Sequence, residues 1–333
     1  MPGNLSLSRE YARIFALVTD KLTSNVIFDN VSTRTSLLYA MKALGAIVRV
    51  GGQPHLRFTI MKELPTAIGY TDLGVITPSR ADPFTSVVYE WKTIGVPFQV
   101  SGLDMIKTKD DGIENLLTRM IEAAEAGLRE GLGGSTLGLY TNDGETTTTS
   151  LTGLQNILST STTTGTVGQL SRASQANWRH QSGNVASDFS GNGLSIIRTL
   201  YRNCSRHDET PDVLVLTGSA MDNFEAALTN TIQVNLPVSE KGQGDSLMME
   251  AGFWNWRYKG ALVFHDDAIP ANSGYMLNFK YHKLYVREGR ESEVSDLVKS
   301  RNYDDLTGWV FFAGNQCNTN LARNGLLQNA DGN

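Results

Sequence analysis

The stretch from position 153 to position 181 constrains the fold more than any other part of this chain. It begins with the segment GLQNIL at 153–158, continues through a tract of Ser, Thr and Gly, and then reads VGQLSR at 167–172 and NWR at 177–179. The tract alone would fit an ordinary surface loop, because small polar residues bury too little area to order themselves. The informative feature is therefore the order: an apolar opener, a polar loop, a Gly-x-hydrophobic-x-Arg turn, and a Trp followed by a basic residue.

Composition indicates a globular protein of about two domains. The chain has 333 residues, of which 40% are hydrophobic. Its longest apolar runs, 261–264 and 309–313, are far shorter than the roughly 20 residues that span a bilayer. The N-terminus lacks the basic and apolar regions of a secretory signal, so we expect the protein to stay in the cytoplasm where it is made. The two cysteines, Cys204 and Cys317, form no disulfide framework or metal motif and are predicted to be buried thiols.

The net charge of −5 argues against a protein that wraps nucleic acid. Binding dominated by phosphate contacts needs clustered Lys and Arg. Any contact with DNA is therefore expected to be weak and nonspecific.

Two segments near the N-terminus have helical spacing of apolar residues, Leu7–Lys21 and Thr35–Leu44. With no strong signal between them, they predict an N-terminal arm.

Two alternating segments predict a pair of facing strands. Leu56, Phe58 and Ile60 alternate with polar neighbours in the first segment, and Val87, Tyr89 and Trp91 alternate in the second. The connection from 63 to 86 contains several Pro and Gly residues and is long for a hairpin, which favours a projecting functional loop. A lone two-stranded ribbon is marginal in water, so it must lie against another surface. An active-site lid is the alternative.

A strong amphipathic helix is predicted over 112–130. Asp111 and Glu114 form a capping box, and a Gly cluster at 131–134 ends the helix. The apolar stripe consists of Ile113, Leu116, Leu117, Met120, Ile121, Ala124 and Leu128.

After position 181 the pattern predicts an α/β core with buried strands. The predicted helices are Leu194–Arg202 and Met221–Leu228, and the predicted strands are Asp212–Thr217, Gly260–His265, Tyr275–Asn278, Lys283–Arg287 and Trp309–Phe312. A more polar segment, Leu321–Gln328, ends the chain.

Several motifs partly resemble catalytic, nucleotide-binding or metal-binding sites, but their residues favour structural roles. TGSAM at 217–221 lacks both glycines of a nucleophile elbow, so Ser219 is predicted to cap a helix. GNG at 191–193 and GQG at 242–244 lack the third glycine of a dinucleotide loop. The histidines other than His265, namely His55, His180, His207 and His282, show no metal-ligand spacing. Neither a catalytic metal nor a cofactor is therefore expected.

Two polar or aromatic clusters leave alternatives open. His265-Asp266-Asp267 reads as a polar strand exit, although it has the residue types of a metal or acid/base site. The aromatic run 253–258 fits base stacking, a core or a subunit interface, and the interface is preferred.

This order of segments resembles the major capsid proteins of tailed bacteriophages, although Gln169 and Ser171 stand where that family usually has Gly and an acidic residue. The resemblance implies an α+β class with the Hong Kong ninety-seven type of capsid fold. It implies an N-terminal arm (1–46), an E-loop hairpin with its supporting strands (47–102), a peripheral domain with the spine helix (103–152), an axial α/β domain (153–300) and a return to the peripheral domain (301–333). In that family the E-loop lies across the adjacent copy.

The function implied is a structural one: an icosahedral shell, built from hexamers and pentamers of this chain in the host cytoplasm, that encloses double-stranded DNA. Scaffolding, portal and decoration proteins are candidate partners, and no membrane is involved. Candidate intersubunit contacts are Arg57, Lys62, Arg80, Asp82, Lys92, Trp178 and Arg179. Some relatives join subunits by a Lys–Asn isopeptide bond, but no pair among Lys62, Lys92, Asn315, Asn318, Asn320 and Asn324 is singled out. The alternatives are an encapsulin-like compartment and a monomeric α/β hydrolase.

Overall fold

The computed structural model describes residues 36–63, 67–69, 72, 82–103, 111–142, 149–186, 189–229, 256–299 and 303–331, with the backbone alone for 111–116. The predicted helix Leu7–Lys21, Arg80 and the side chains of the predicted capping box lie outside the described residues. The chain divides into two compact units. The smaller includes Thr93–Gly131 and Gly289–Phe312, and the larger includes Thr35–Lys92, Leu132–Glu288 and Ala313–Asn333.

The elements follow one another along the chain as helices and strands of both units. The α-helices are α1 (Ser36–Ala43), α2 (Asp111–Gly133), α3 (Leu154–Ile157), α4 (Phe189–Cys204) and α5 (Gly218–Thr229). The strands are β1 (Ile47–Val50), β2 (Leu56–Met61), β3 (Phe84–Tyr89), β4 (Lys92–Ser101), β5 (Thr166–Val167), β6 (Leu170–Ser171), β7 (Gln181–Asn184), β8 (Val213–Leu216), β9 (Trp256–Tyr258), β10 (Ala261–His265), β11 (Ser273–Leu277), β12 (His282–Arg287), β13 (Glu293–Val294), β14 (Val298–Lys299), β15 (Asp305–Asn318) and β16 (Gly325–Gln328). No described helix is both long and apolar enough to cross a bilayer.

A six-stranded mixed sheet forms the centre of the larger unit, in the order β7-β16-β11-β8-β10-β9. All four residues of β8 are buried, as expected for a strand covered on both faces. Helices α4 and α5 pack against this sheet and bury one side each, including Ile197, Leu200 and Phe224. The α/β core predicted from the sequence is thus confirmed for β8, β10 and β11, whose bounds differ from the prediction by one or two residues. The predicted strands Lys283–Arg287 and Trp309–Phe312 instead belong to β12 and β15 of another sheet.

The end of the chain differs from the prediction. Strand β16 pairs in parallel with β7 and antiparallel with β11, inside the sheet of the larger unit. Leu326 and Leu327 are 3% and 0% exposed. The expected return of 301–333 to the peripheral domain is therefore wrong for this last strand. Leu326 and Leu327 are buried in the α/β sheet, but the polar residues around them made the segment look exposed in the sequence.

Helix α1 is docked, which corrects the prediction that 1–46 forms an arm throughout. Leu37, Ala40 and Met41 are fully buried. The Leu37 amide donates a 3.0 Å hydrogen bond to Asp266 Oδ2, so a carboxylate distant in sequence caps the helix. Strand β1 follows directly and pairs in parallel with β12, from Ile47 opposite Leu284.

The smaller unit combines the long helix with short strands. Helix α2 runs to Gly133, which confirms the predicted helix and its glycine end. The first half of β15 pairs with β4, β13 and β14. Gly308 is required there, because a Cβ at that position would lie 2.3 Å from Cζ of Phe98. The predicted strand Trp309–Phe312 is thus the middle of a strand of 14 residues.

Candidate functional site

The two predicted facing strands are confirmed as an antiparallel ribbon, β2 with β3, which we call the ribbon. Its register runs from Leu56 opposite Tyr89 to Met61 opposite Phe84. One face is buried: Leu56, Val87 and Tyr89 are 1% exposed or less. The other face is open, since Met61 and Phe84 at the far end are 56% and 58% exposed.

The buried face rests on the ribbon's own chain. The ring of Phe58 lies 5.1 Å from that of Tyr285 on β12. The Tyr89 hydroxyl donates a 2.8 Å hydrogen bond to the Asn318 carbonyl at the end of β15. The expectation that the ribbon finds its stabilising surface only on another copy is therefore wrong for its base. The contacts that the structure describes beneath the ribbon involve packed side chains and a hairpin.

A tight hairpin, β5 with β6, meets the ribbon base. Its two turn residues, Gly168 and Gln169, have φ of +62° and +59°. Such a left-handed pair is the type I′ turn that matches the twist of a two-residue hairpin. The Gly168 carbonyl accepts a 3.1 Å hydrogen bond from the Val88 amide. A Cβ on Gly168 would lie 2.0 Å from Val87 Cγ1, so glycine is required both by φ and by the close approach.

A buried arginine holds the polar tract behind this hairpin. Arg172 is 1% exposed. Its guanidinium donates to the carbonyls of Asn156 (2.7 Å) and Ile157 (2.6 Å) at the end of α3. It also donates to the Ser159 hydroxyl and to the carbonyls of Ser161 and Thr164. Burial lowers the pKa of Arg172, partly offset by Tyr89. The positive charge is thus balanced by oriented backbone oxygens. The same hydrogen bonds order the Ser/Thr tract, which in the sequence resembled an ordinary surface loop.

The Trp and the residues on either side of it close the arrangement. Trp178 is 3% exposed and donates from Nε1 to the Val167 carbonyl at 3.0 Å. Asn177 Nδ2 donates to the Lys62 carbonyl at 2.8 Å, where β2 has just ended. Arg179 Nε donates to the Arg172 carbonyl at 3.0 Å. We call residues 166–179 the seat, because they contact the ribbon at Val87 and Val88 and at Lys62.

A histidine beside the seat is held neutral. His180 is 2% exposed. Burial lowers its pKa to about 4, and the positive charge of Arg172 lowers it further. On β12, burial likewise lowers the pKa of His282 to about 4, although a hydrogen bond to Gln316 opposes this. Both rings therefore serve as neutral packing groups near neutral pH.

The predicted intersubunit residues fall into two groups. Arg57 and Asp82 are exposed, and Lys62 and Arg179 are half-buried. Lys92 is 1% exposed and Trp178 is 3% exposed, so these two side chains have almost no surface left to offer a second copy. The prediction that Lys92 and Trp178 contact a second copy is therefore wrong, and both side chains pack inside their own chain.

The clusters considered for chemistry are also structural. Asp266 is buried and binds the Leu37 and Ala268 amides and the Tyr140 hydroxyl, whereas His265 and Asp267 on either side are exposed. Burial raises the pKa of Asp266, and its hydrogen bonds oppose this. Within the described residues, no group of three His, Cys, Asp or Glu side chains could hold a metal ion.

Two helices decide the predicted cap and the GNG motif, whereas GQG at 242–244 lies outside the described residues. Helix α5 begins at Gly218, and the Ala220 amide donates to Thr217 Oγ1 at 3.3 Å. Thr217 is thus the cap, and the prediction for Ser219 is wrong by two positions. The GNG sequence at 191–193 lies inside α4 and forms no nucleotide loop.

The described aromatics of the run 253–258 pack within the chain but are only half-buried, so the interface role stays a prediction for their remaining surface. Trp256 Nε1 donates to Glu225 on α5 at 2.8 Å. Tyr258 meets Tyr201 and Phe224 edge-on, at 5.9 and 6.5 Å.

The candidate isopeptide asparagines are internal supports that sequence reasoning missed. Asn315 is fully buried; its Nδ2 donates to the Glu90 carbonyl and Thr152 hydroxyl, and its Oδ1 accepts from the Thr152 amide. Asn324 Oδ1 accepts from the Asn278 amide. Cys204 and Cys317 are buried free thiols, as predicted.

Comparison with known proteins identifies the fold. No family model and no curated protein matches the sequence. Among solved structures, the capsid of cyanophage A-1(L) resembles the chain with a TM-score of 0.71 at 14% identity, covering 93% of this chain and 97% of that one. The capsid of an empty GTA particle gives 0.58 at 13% identity, covering 95% and 97%. The capsid of Myoviridae phage XM1 gives 0.53 at 13%, covering 94% and 97%. The chain therefore has the phage capsid fold, an α+β architecture, as the resemblance implied.

Proposed function

We propose that this chain is the major capsid protein of a tailed bacteriophage, which assembles into an icosahedral shell enclosing double-stranded DNA. The observation that carries the proposal is the fold match to a phage capsid subunit over 93% of this chain and 97% of that one. Agreement over nearly the whole of both chains supports a shared architecture rather than one shared motif. In this proposal the chain forms the hexamers and pentamers of a virion and acts as a structural protein rather than an enzyme.

The open face of the ribbon supports assembly. Met61, Ile68 and Phe84 are 56%, 60% and 58% exposed, all at or beyond the end of the paired strands. Apolar side chains grouped at a projecting end are typical of a contact surface. Covering each by another copy contributes on the order of 1 kcal/mol, and the contribution repeats at every equivalent interface of a symmetric shell.

Charged groups on the same ribbon are proposed to set the register between copies. Arg57 and Asp82 are exposed on the ribbon, and Arg179 is half-exposed beside its base. Complementary charges mainly give specificity and orientation rather than affinity. We retain these three as intersubunit contacts, together with Lys62 and Arg80.

The partners and setting follow from the same proposal. We propose assembly in the host cytoplasm, with scaffolding, portal and decoration proteins as partners. The net charge of −5 supports confinement of the genome by the closed shell over binding by charge.

Assembly of the purified full chain tests the proposal. We expect closed shells of uniform diameter by negative-stain microscopy and a matching particle mass by light scattering. Particles from a phage infection should hold nuclease-resistant DNA, whereas an encapsulin-like compartment would hold a cargo enzyme. A chain that stays monomeric under all assembly conditions and turns over ester substrates would establish the hydrolase alternative instead.

A further inference from the structure

The ribbon is fixed within its own chain at two places. The Val88 amide, near the base, is bound by the Gly168 carbonyl, and the Lys62 carbonyl, next to the far end, is bound by Asn177. Gly168 and Val87 are in direct contact. Contacts therefore hold both strands of the ribbon before any second copy is present.

The open face at the far end of the ribbon is the part left for another molecule. The side chains of its last register pair, Met61 opposite Phe84, are both more than half exposed, although the backbone next to them is held by the bond from Asn177 to the Lys62 carbonyl. The seat therefore touches the ribbon at Val87 and Val88 on one strand and at Lys62 after the other. A contact surface whose direction is already set loses less conformational entropy on binding.

We infer that Gly168 is a positioning residue for assembly: through Val87 and Val88, the seat sets the direction of the ribbon before a second copy is met. This rests on the proposed shell function. Any side chain at position 168 would push Val87 away by about 1.5 Å, because carbon atoms in contact lie roughly 3.5–4.0 Å apart.

The test compares Gly168→Ala with Gly45→Ala. Gly45 has a similar φ of +70° but nothing within 4 Å of its Cβ position, so it carries the backbone strain without the collision. We expect Gly45→Ala to keep shell yield within about twofold and Gly168→Ala to lower it at least about tenfold. Sedimentation and negative-stain microscopy measure the yield. Hydrogen exchange on unassembled subunits should show faster exchange of the Val88 amide in Gly168→Ala only.

A second substitution separates a turned ribbon from a damaged fold. Val87→Ala removes the Cγ1 atom that the new Cβ would strike and leaves the milder contacts with Val87 Cβ at 3.0 Å and Tyr89 Cζ at 3.2 Å. Adding it to Gly168→Ala is therefore expected to recover part of the lost shell yield, although Val87→Ala alone costs stability. If Gly168→Ala does not fold, Arg172→Lys provides a second variant, because it weakens the hydrogen bonds from Arg172 to the Asn156 and Ile157 carbonyls. We expect the same fast exchange at Val88 and the same loss of shells.

Three outcomes would overturn the inference. One is a folded Gly168→Ala that assembles as the wild type does while Val88 exchanges quickly, which leaves the proposed function intact. Another is loss of shells with no recovery on adding Val87→Ala. The third is a wild-type chain that never assembles, which removes the proposed function and this inference together.

Discussion

The α/β sheet and the seat are ordered by different forces. The sheet is built from strands such as β8, whose four apolar residues are all buried, and from helices that bury large side chains against it. The seat is tied to the small polar residues that precede it, because Arg172 of the seat binds the carbonyls of Asn156 and Ile157 before that tract and of Ser161 and Thr164 within it. The sheet therefore depends on apolar area and the seat on a few directional bonds. A region can look disordered in composition and still be fixed when one buried donor satisfies its backbone.

The largest effect is expected in the sheet region. Phe224 on α5 is 1% exposed, so Phe224→Ala should lower the free energy of unfolding by about 4 kcal/mol. Urea titration of the unassembled subunit measures it. The control Phe84→Ala removes the same ring from a site that is 58% exposed and should cost less than about 1 kcal/mol. Equal losses at the two sites would contradict the proposed origin of the sheet's stability.

Loss of the hydrogen bonds from Arg172 should destabilise the seat even when the volume of the side chain is kept. Arg172→Met fills a similar space but leaves the Asn156 and Ile157 carbonyls without their donor, and we expect a loss of about 3 kcal/mol. The control Arg179→Met, at a half-exposed site, should cost about 1 kcal/mol. If methionine at 172 is tolerated as well as at 179, apolar packing holds the seat after all.

Lowering the pH should weaken the protein through two buried histidines, His180 beside the seat and His282 on β12, which pairs with β1 and β15 and not with the α/β sheet. The pKa of His180 and of His282 is lowered by burial from 6.5 to about 4. As the pH falls from about 6.5 to about 4, the unfolded chain takes up protons that the folded chain does not, so stability falls and then levels off. His180→Gln and His282→Gln should each flatten this fall in urea titrations across the range, relative to wild type.

Two carboxyls act in the opposite direction, so the comparison with wild type is essential. Burial raises the pKa of Asp266 and Asp212, which makes their contribution fall as the pH rises. His265→Gln, at an exposed position, provides the matched control for the substitution itself. An unchanged profile in His180→Gln would show that this ring takes up its proton with the fold intact.

The smallest effect is a gain at the hairpin turn. Gln169 has a φ of +59°, a conformation that costs a residue with a side chain more than it costs glycine. Gln169→Gly should therefore stabilise the subunit by about 0.5 kcal/mol after the greater freedom of glycine in the unfolded state is counted. Thermal unfolding measures the change. Gln175→Gly, at a position without positive φ, should destabilise by a similar amount, and a gain at both would rule out the turn as the cause.

The sequence predicted the elements whose signal is local. Helix α2 and its glycine end, the core strands and the pairing of β2 with β3 were all visible as apolar periodicity and chain punctuation. The order of pieces between 153 and 181 also indicated the fold. These features are readable because burial imposes a period on neighbouring residues, whatever lies opposite.

The tertiary structure alone decided the partners of polar groups and the places of short segments. Asp266 caps a helix 229 residues away in sequence, and Tyr89 bonds the carbonyl of Asn318 across the same separation. Lys92 and Trp178 looked like surface contacts but are buried, and the apolar pair of β16 completes a sheet that its polar neighbours did not suggest. Hydrogen bonds leave no periodic mark on the sequence, because one donor can satisfy any carbonyl that the fold brings within reach. Only the folded chain determines which one that is.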